Sequence, residues 1–157
     1  MKAATVHQLK KELETYTSTK LVEMVLKLAK HKVENKELLS YMLFDSEDLG
    51  TYIADIKLEI DAELETVNHL PFFRTRRVIR KILKNITKYT KFSGSKEVEA
   101  ELLLHLARTW RKQNNMRYYP KALTDVYQRI IEKFEKLIPA THEDLQYEYR
   151  LALTELL

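Results

Sequence analysis

The sequence predicts an all-α protein: a compact multi-helix bundle of seven or eight antiparallel helices, with a short α-solenoid of helix pairs as the alternative. Three observations lead there. The 157 residues include only two Gly and three Pro, too few for the frequent tight turns of a strand protein. Apolar residues recur three and four positions apart along most of the chain, the spacing of one helix face. The few Pro, Gly and hydroxyl or acidic capping residues fall between those periodic stretches, where helices start and stop. A chain of this length can bury a core without staples, and the expectation is one domain, 1–157, with a main bundle over 1–113 and a C-terminal helical hairpin over 116–157 packed on it.

Thr5 to Tyr16 reads as a short first helix with Val6, Leu9 and Leu13 on one side. Thr17, Ser18 and Thr19 supply a hydroxyl cap for a second helix, Lys20 to about Lys32. Its Leu21, Val22, Met24, Val25, Leu26, Leu28 and Ala29 cover so much of the circumference that it reads as central and well buried. A third helix, Val33 to Phe44, follows without Gly or Pro, and the break between the two is expected at Glu34-Asn35-Lys36. Asp45-Ser46-Glu47-Asp48 is a start signal, with acids near the positive end of the helix dipole. The fourth helix runs to about Val67 along Leu49, Ile53, Ile56, Ile60, Leu64 and Val67.

Pro71 suits a helix start and opens the fifth helix, 71–92. Phe92-Ser93-Gly94-Ser95 ends it, with Gly94 in the left-handed position and Ser95 capping the next helix. The sixth helix, Lys96 to about Lys112, packs through Val98, Leu102, Leu103, Leu106 and Trp110. Gln113-Asn114-Asn115 reads as a linker. Pro120 starts the seventh, about Lys121 to Leu137, with Leu123, Val126, Tyr127, Ile130, Ile131, Phe134 and Leu137 inward, and Pro139 ends it. Thr141 to Asp144 has the spacing of a capping box ahead of an eighth helix carrying Leu145, Tyr149, Ala152 and Leu156.

Charge is distributed unevenly. The net value is +4, yet 66–96 holds nine of the 27 Lys and Arg and none of the 23 Asp and Glu. The positive balance therefore comes from one segment. Within it Arg74, Arg77, Lys81, Lys84, Lys88 and Lys91 lie opposite Ile79, Ile82, Leu83, Ile86 and Thr90 at 100° per residue. Six cations over about 26 Å of helix make a candidate surface for an anion, a phosphate backbone or an acidic partner. The competing reading is that they pair with the fourth helix, where 45–65 carries eight acids and one base, or simply face water.

Catalytic and metal patterns are missing. There is no Cys, which fits a reducing compartment. The carboxylates Asp48, Asp55, Glu59 and Glu63 share a flank, but the chain has no Glu-x-x-His and no HExxH to complete a bundle metal site. No GxSxG, Walker loop or GxGxxG occurs, and two glycines cannot build a phosphate cradle. His105 reads as a boundary residue and His142 as part of a helix cap. Aromatic residues crowd the last third. Arg117, Tyr118 and Tyr119 have the side chains of an interface hot spot if exposed, but the reading favoured for aromatics at helical spacing is that the rings fill the seam between the final hairpin and the bundle, with their polar tips reaching water. No run of apolar residues approaches the length needed to span a bilayer, and the N-terminus lacks the apolar core of a signal peptide. The localisation expected is cytoplasmic, without membrane attachment.

Asn35-Lys36-Glu37-Leu38-Leu39 with Tyr41-Met42-Leu43-Phe44, Ser93 to Leu103, and His142-Glu143-Asp144-Leu145-Gln146-Tyr147 resemble an uncharacterised family of small bacterial all-helical proteins. That resemblance implies a helical fold and no particular activity. Val6 to Leu13 also resembles the opening helix of SAP-type DNA-binding modules, but the glycine-containing turn of those modules is absent. The function expected is a non-enzymatic, protein-interacting or self-associating helical domain without cofactor or metal. The alternative is a nucleic-acid-associated protein using the basic helix 71–92.

Overall fold

The computed structural model describes residues 2–113 and 118–157. It is all-α, and the described residues contain no strand. Among the described residues eight α-helices follow one another: α1 (Val6–Leu13), α2 (Ser18–His31), α3 (Val33–Ser40), α4 (Leu49–Glu65), α5 (Phe72–Ser93), α6 (Lys96–Gln113), α7 (Lys121–Leu137) and α8 (Glu143–Leu156). A π turn, Tyr41–Asp45, follows α3, and 3₁₀ turns follow α4 (Thr66–His69) and α7 (Ile138–Ala140).

Local chemistry places the ends. Thr5 and Gln8 form a capping box at α1, and the Thr17 hydroxyl accepts from the Lys20 N–H at 3.3 Å. Asp48 accepts from both the N–H and the hydroxyl of Thr51, at 3.0 and 2.7 Å. These bonds hold its carboxyl below the usual carboxylate range. Gly94 takes φ +64°, and Ser95 caps α6 through the Val98 N–H at 3.3 Å.

α1 ends at Leu13 and α3 at Ser40, three and four residues short of the sequence reading, and two breaks are made by residues other than those expected. The break between α2 and α3 falls at Lys32, extended at φ −142°, ψ 144°, not at Glu34-Asn35-Lys36. Asn35 is helical, and its side-chain amide donates to the Leu28 carbonyl at 2.8 Å, satisfying an acceptor near the end of α2. At α8 the capping box on Thr141 does not form. The Thr141 hydroxyl turns back to the Ile138 carbonyl at 2.8 Å, and His142 Nδ1 accepts from the Asp144 N–H at 3.4 Å.

The chain divides into two compact units, 1–44 and 45–157. The two C-terminal helices, expected as a hairpin packed on a main bundle, belong to the second unit. α7 and α8 share a core with α4, α5 and α6, because α6 touches all four of the other helices. Nine residues of α6 are buried, from Val98 to Trp110. Phe134, Leu64, Ile79, Ile82 and Leu123 close around it, each fully buried. Glu99 is the one acid buried within this helix, and Lys133 reaches it at 2.6 Å, which limits the cost of its desolvation. Leu49, expected in the core line of α4, is exposed, and Tyr52 takes the inner position one turn on.

In the first unit α2 packs along α3, and neither α1, α2 nor α3 has a buried residue. The expectation of a buried central α2 is overturned. Its apolar arc spans about 200° at 100° per residue, and one neighbouring helix covers only part of such an arc. The position expected for α2 belongs to α6. No helix among the described residues is long and apolar enough to cross a membrane.

Candidate functional site

α5 carries the strongest charge pattern, and the structure puts its two sets of side chains on opposite sides. Thr75, Ile79, Ile82 and Ile86 are buried, while Arg74, Arg77, Lys81, Lys84 and Lys91 are exposed. Lys88 is half-buried, its ammonium 4.6 Å from the centre of the Tyr89 ring. The stripe therefore faces water along most of its length. One of its members is drawn to α4: Lys81 pairs with Glu63.

α4 turns Tyr52, Lys57, Glu59 and Asp61 to partners inside its own unit. Tyr89 donates to Glu59 at 2.8 Å, and the Tyr52 hydroxyl donates to the Tyr89 carbonyl at 3.2 Å. Tyr89 thus sits in the α4–α5 seam. His105 Nε2 lies 2.7 Å from Asp61 on α4, half-buried at the edge of the core. Glu101 accepts from Lys57 on α4 and from the Tyr149 hydroxyl on α8, the latter at 3.0 Å. Burial pushes the Glu101 carboxyl up, but Lys57, Tyr149 and His105 together bring it below its ordinary value. Burial, with the adjacent Glu101 charge, pushes the Tyr149 hydroxyl well above the usual tyrosine range. This network ties α4, α6 and α8 together. No three His, Asp or Glu of the described residues converge as a metal-binding group; of the α4 flank, Asp48 serves a helix cap, Glu59 a tyrosine and Glu63 a lysine, and Asp55 is exposed.

The expected interface triplet separates. Tyr118 is 78 % exposed. Tyr119 is half-buried, with its ring 5.7 Å from Phe72 and 6.0 Å from Trp110, and its hydroxyl accepts from the indole N–H at 3.4 Å. It is an internal ring and not a surface anchor, because the turn before α7 lays it over α6. Arg117 lies outside the described residues, as does most of the expected linker. Trp110 also meets Tyr127 edge-on, and Phe134 meets Tyr149, so the aromatic residues mostly fill the seams of the second unit. Tyr147 stays exposed.

Two surface features went unread in the sequence. Phe73, on the basic face of α5 by its angular position, is 72 % exposed, and Arg76 and Arg80 form a flank between the basic and apolar stripes. The signal was present: a phenylalanine in phase with lysines cannot join the buried stripe. The second is the first unit. Fourteen large hydrophobic side chains are exposed among its described residues, including Val22, Leu28, Met42 and Phe44, and Tyr41 is its one buried hydrophobic residue. α1 and the start of α2 border an open groove of about 540 Å³ between Val6, Leu9, Leu13 and Leu21, with Lys10 and Glu14 at its rim.

No protein family, curated protein or solved structure matches the chain in comparison.

Proposed function

We propose that the protein is a non-enzymatic helical interaction domain that pairs with a second copy of itself through residues 2–44. The observation that carries this reading is the apolar surface of the first unit. A segment of this size with one buried hydrophobic side chain cannot offset its own chain entropy. Its exposed apolar side chains amount to on the order of 1,000 Å², against about 800 Å² per partner in a standard stable interface. The polar residues around that surface suit a copy of the same chain. Eight Lys and five Glu are interspersed along 1–44, so a two-fold pairing can set lysines of one protomer against glutamates of the other.

Sedimentation across a concentration series tests the pairing. The expected outcome is a dimer that Val25→Glu with Leu28→Glu dissociates, raising the dissociation constant at least about 100-fold, since each apolar side chain contributes about 1.5–3 kcal/mol when buried. Circular dichroism and Trp110 fluorescence should report an intact second unit in that variant. A monomer at all concentrations, or a dimer indifferent to both charges, refutes the reading.

One observation favours a second reading. Arg74, Arg77, Lys84 and Lys91 are exposed, Lys81 is the stripe member paired with an acid of α4, and Phe73 stands among them as an exposed ring. Cations interleaved with an exposed aromatic suit a single nucleic-acid strand. Titration with single-stranded RNA at two salt concentrations decides it: affinity should fall steeply with salt and drop in Lys84→Gln with Lys91→Gln.

A further inference from the structure

The beginnings of α5 and α7 border a half-open pocket of about 410 Å³, within the usual range for small-molecule sites. Arg76, Arg77 and Arg80 line one part of it, and Phe72, Phe73 and Leu123 another. Three guanidinium groups on consecutive turns repel one another, and none can shed its charge at any ordinary pH. Among the described residues no acid lines the pocket with them. The sequence has no Asp or Glu from Thr66 to Lys96, neither α5 nor α7 has an acid in its first turn, and Asp125, one turn further along α7, is not part of the wall.

Arg76 adds an independent observation. Its Nε is buried and has no hydrogen-bond acceptor among the described residues, a costly state for a charged donor. Both helices that border the pocket start at a proline and lack a side-chain cap. Their first N–H groups and positive dipole ends reinforce the preference for negative charge.

We propose that this pocket binds a nucleoside phosphate, with the phosphates held by Arg76, Arg77 and Arg80 and the base lying against Phe73. Charge density selects a di- or triphosphate, because three guanidiniums match two or more negative charges and offer forked donors to phosphate oxygens. Phe73 is 72 % exposed; the Arg74 guanidinium lies over its ring, 5.8 Å from the centre, so a base would stack on the other face, worth about a tenfold change. The wall takes no residue from 2–44, and Lys84 and Lys91 lie outside it.

Isothermal titration of the full chain with ATP and with sodium pyrophosphate tests the assignment. ATP should bind more tightly than pyrophosphate. Arg77→Gln and Arg80→Gln, both at exposed positions, should each weaken both ligands about tenfold. Phe73→Ala should weaken ATP about tenfold and leave pyrophosphate unchanged, and Lys84→Gln with Lys91→Gln should change neither. Arg76→Gln should abolish binding and is paired with a thermal melt, because this half-buried residue also packs against the fold. Trp110 offers a second readout, since its ring meets Tyr119 and Tyr119 meets Phe72. Absence of binding at millimolar ligand, or binding indifferent to Arg77→Gln and Arg80→Gln, overturns the proposal. Equal affinity for ATP and pyrophosphate that ignores Phe73→Ala overturns the nucleoside part. An oligonucleotide that binds through Lys84 and Lys91 where ATP does not bind overturns the pocket in favour of a strand along α5.

Discussion

Residues 2–44 and 45–157 are built from the same kind of helix and end up in opposite states. α2 carries Leu21, Val22, Met24, Val25, Leu26, Leu28 and Ala29, and α6 carries Val98, Ala100, Leu102, Leu103, Leu104, Leu106, Ala107 and Trp110. Each is apolar around more than half its circumference. α6 is enclosed by four helices and buries nine residues; α2 packs along α3 and buries none. Apolar breadth thus measures how much cover a helix requires, and the number of packed neighbours measures how much it receives. Where the two match, as around α6, burial supplies stability. The mismatch at α2 leaves apolar side chains uncovered, and the proposed self-pairing rests on that surface.

The largest test of that contrast is a pair of leucines. Leu106→Ala in α6, where the side chain is fully buried, should cost about 2–5 kcal/mol of unfolding free energy. Leu28→Ala in α2, where 62 % of the side chain is exposed, should cost under about 0.5 kcal/mol in a dilute sample and act instead on self-association. Urea unfolding followed by Trp110 fluorescence, repeated at high and low protein concentration, separates the two effects. Equal losses for both variants at low concentration would break the comparison.

The polar seam of the second unit gives a smaller and pH-dependent effect. The Glu101 carboxyl is held below its ordinary value near 4.5, so its contribution is present above that pH and disappears as pH falls through the lowered folded value. The Tyr149 hydroxyl is raised above its ordinary value near 10, so its contribution is complete below pH 10 and disappears as pH rises through the raised folded value. Tyr149→Phe should cost about 1 kcal/mol at neutral pH and flatten the alkaline limb of a stability-against-pH curve, while leaving any dimer dissociation constant unchanged. A variant that loses dimerisation instead would tie α8 to the interface.

The smallest effects compare the two helix breaks. Gly94 has φ +64° and open space where a methyl group would stand, so Gly94→Ala should cost about 1 kcal/mol of backbone strain alone. Asn35→Ala removes one side-chain bond to Leu28 at an exposed break and should cost about 0.5 kcal/mol, read as a loss of helicity in the first unit without a shift in the Trp110 transition. Thermal melts by circular dichroism and fluorescence in parallel resolve the two.

Legibility followed the range of the interaction. Helix positions agree with the sequence reading to within a few residues at nearly every end, and the inward residues of α7 match it closely: Leu123, Val126, Ile130, Ile131, Phe134 and Leu137. The opposed stripes of α5 were equally readable from its spacing. The departures come where a side chain had a choice of partner. Asn35 took the Leu28 carbonyl and remained helical, and Thr141 turned to Ile138 and left the cap to His142. Tyr119 was readable as a ring of the seam or of an interface, but its particular neighbours Phe72 and Trp110 were not, because they lie on two other helices.

The sequence alone determined that the chain is helical, where most helices begin and end, and which side of α5 is charged. Those outcomes rest on hydrogen bonds and side-chain spacings within about four residues. Tertiary structure alone decided that α6 and not α2 is enclosed, that 1–44 separates from 45–157, and that Arg76, Arg77 and Arg80 share a pocket with the start of α7. Enclosure and convergence depend on how many distant segments arrive around a residue, and a periodic pattern specifies the face to be covered without specifying what covers it.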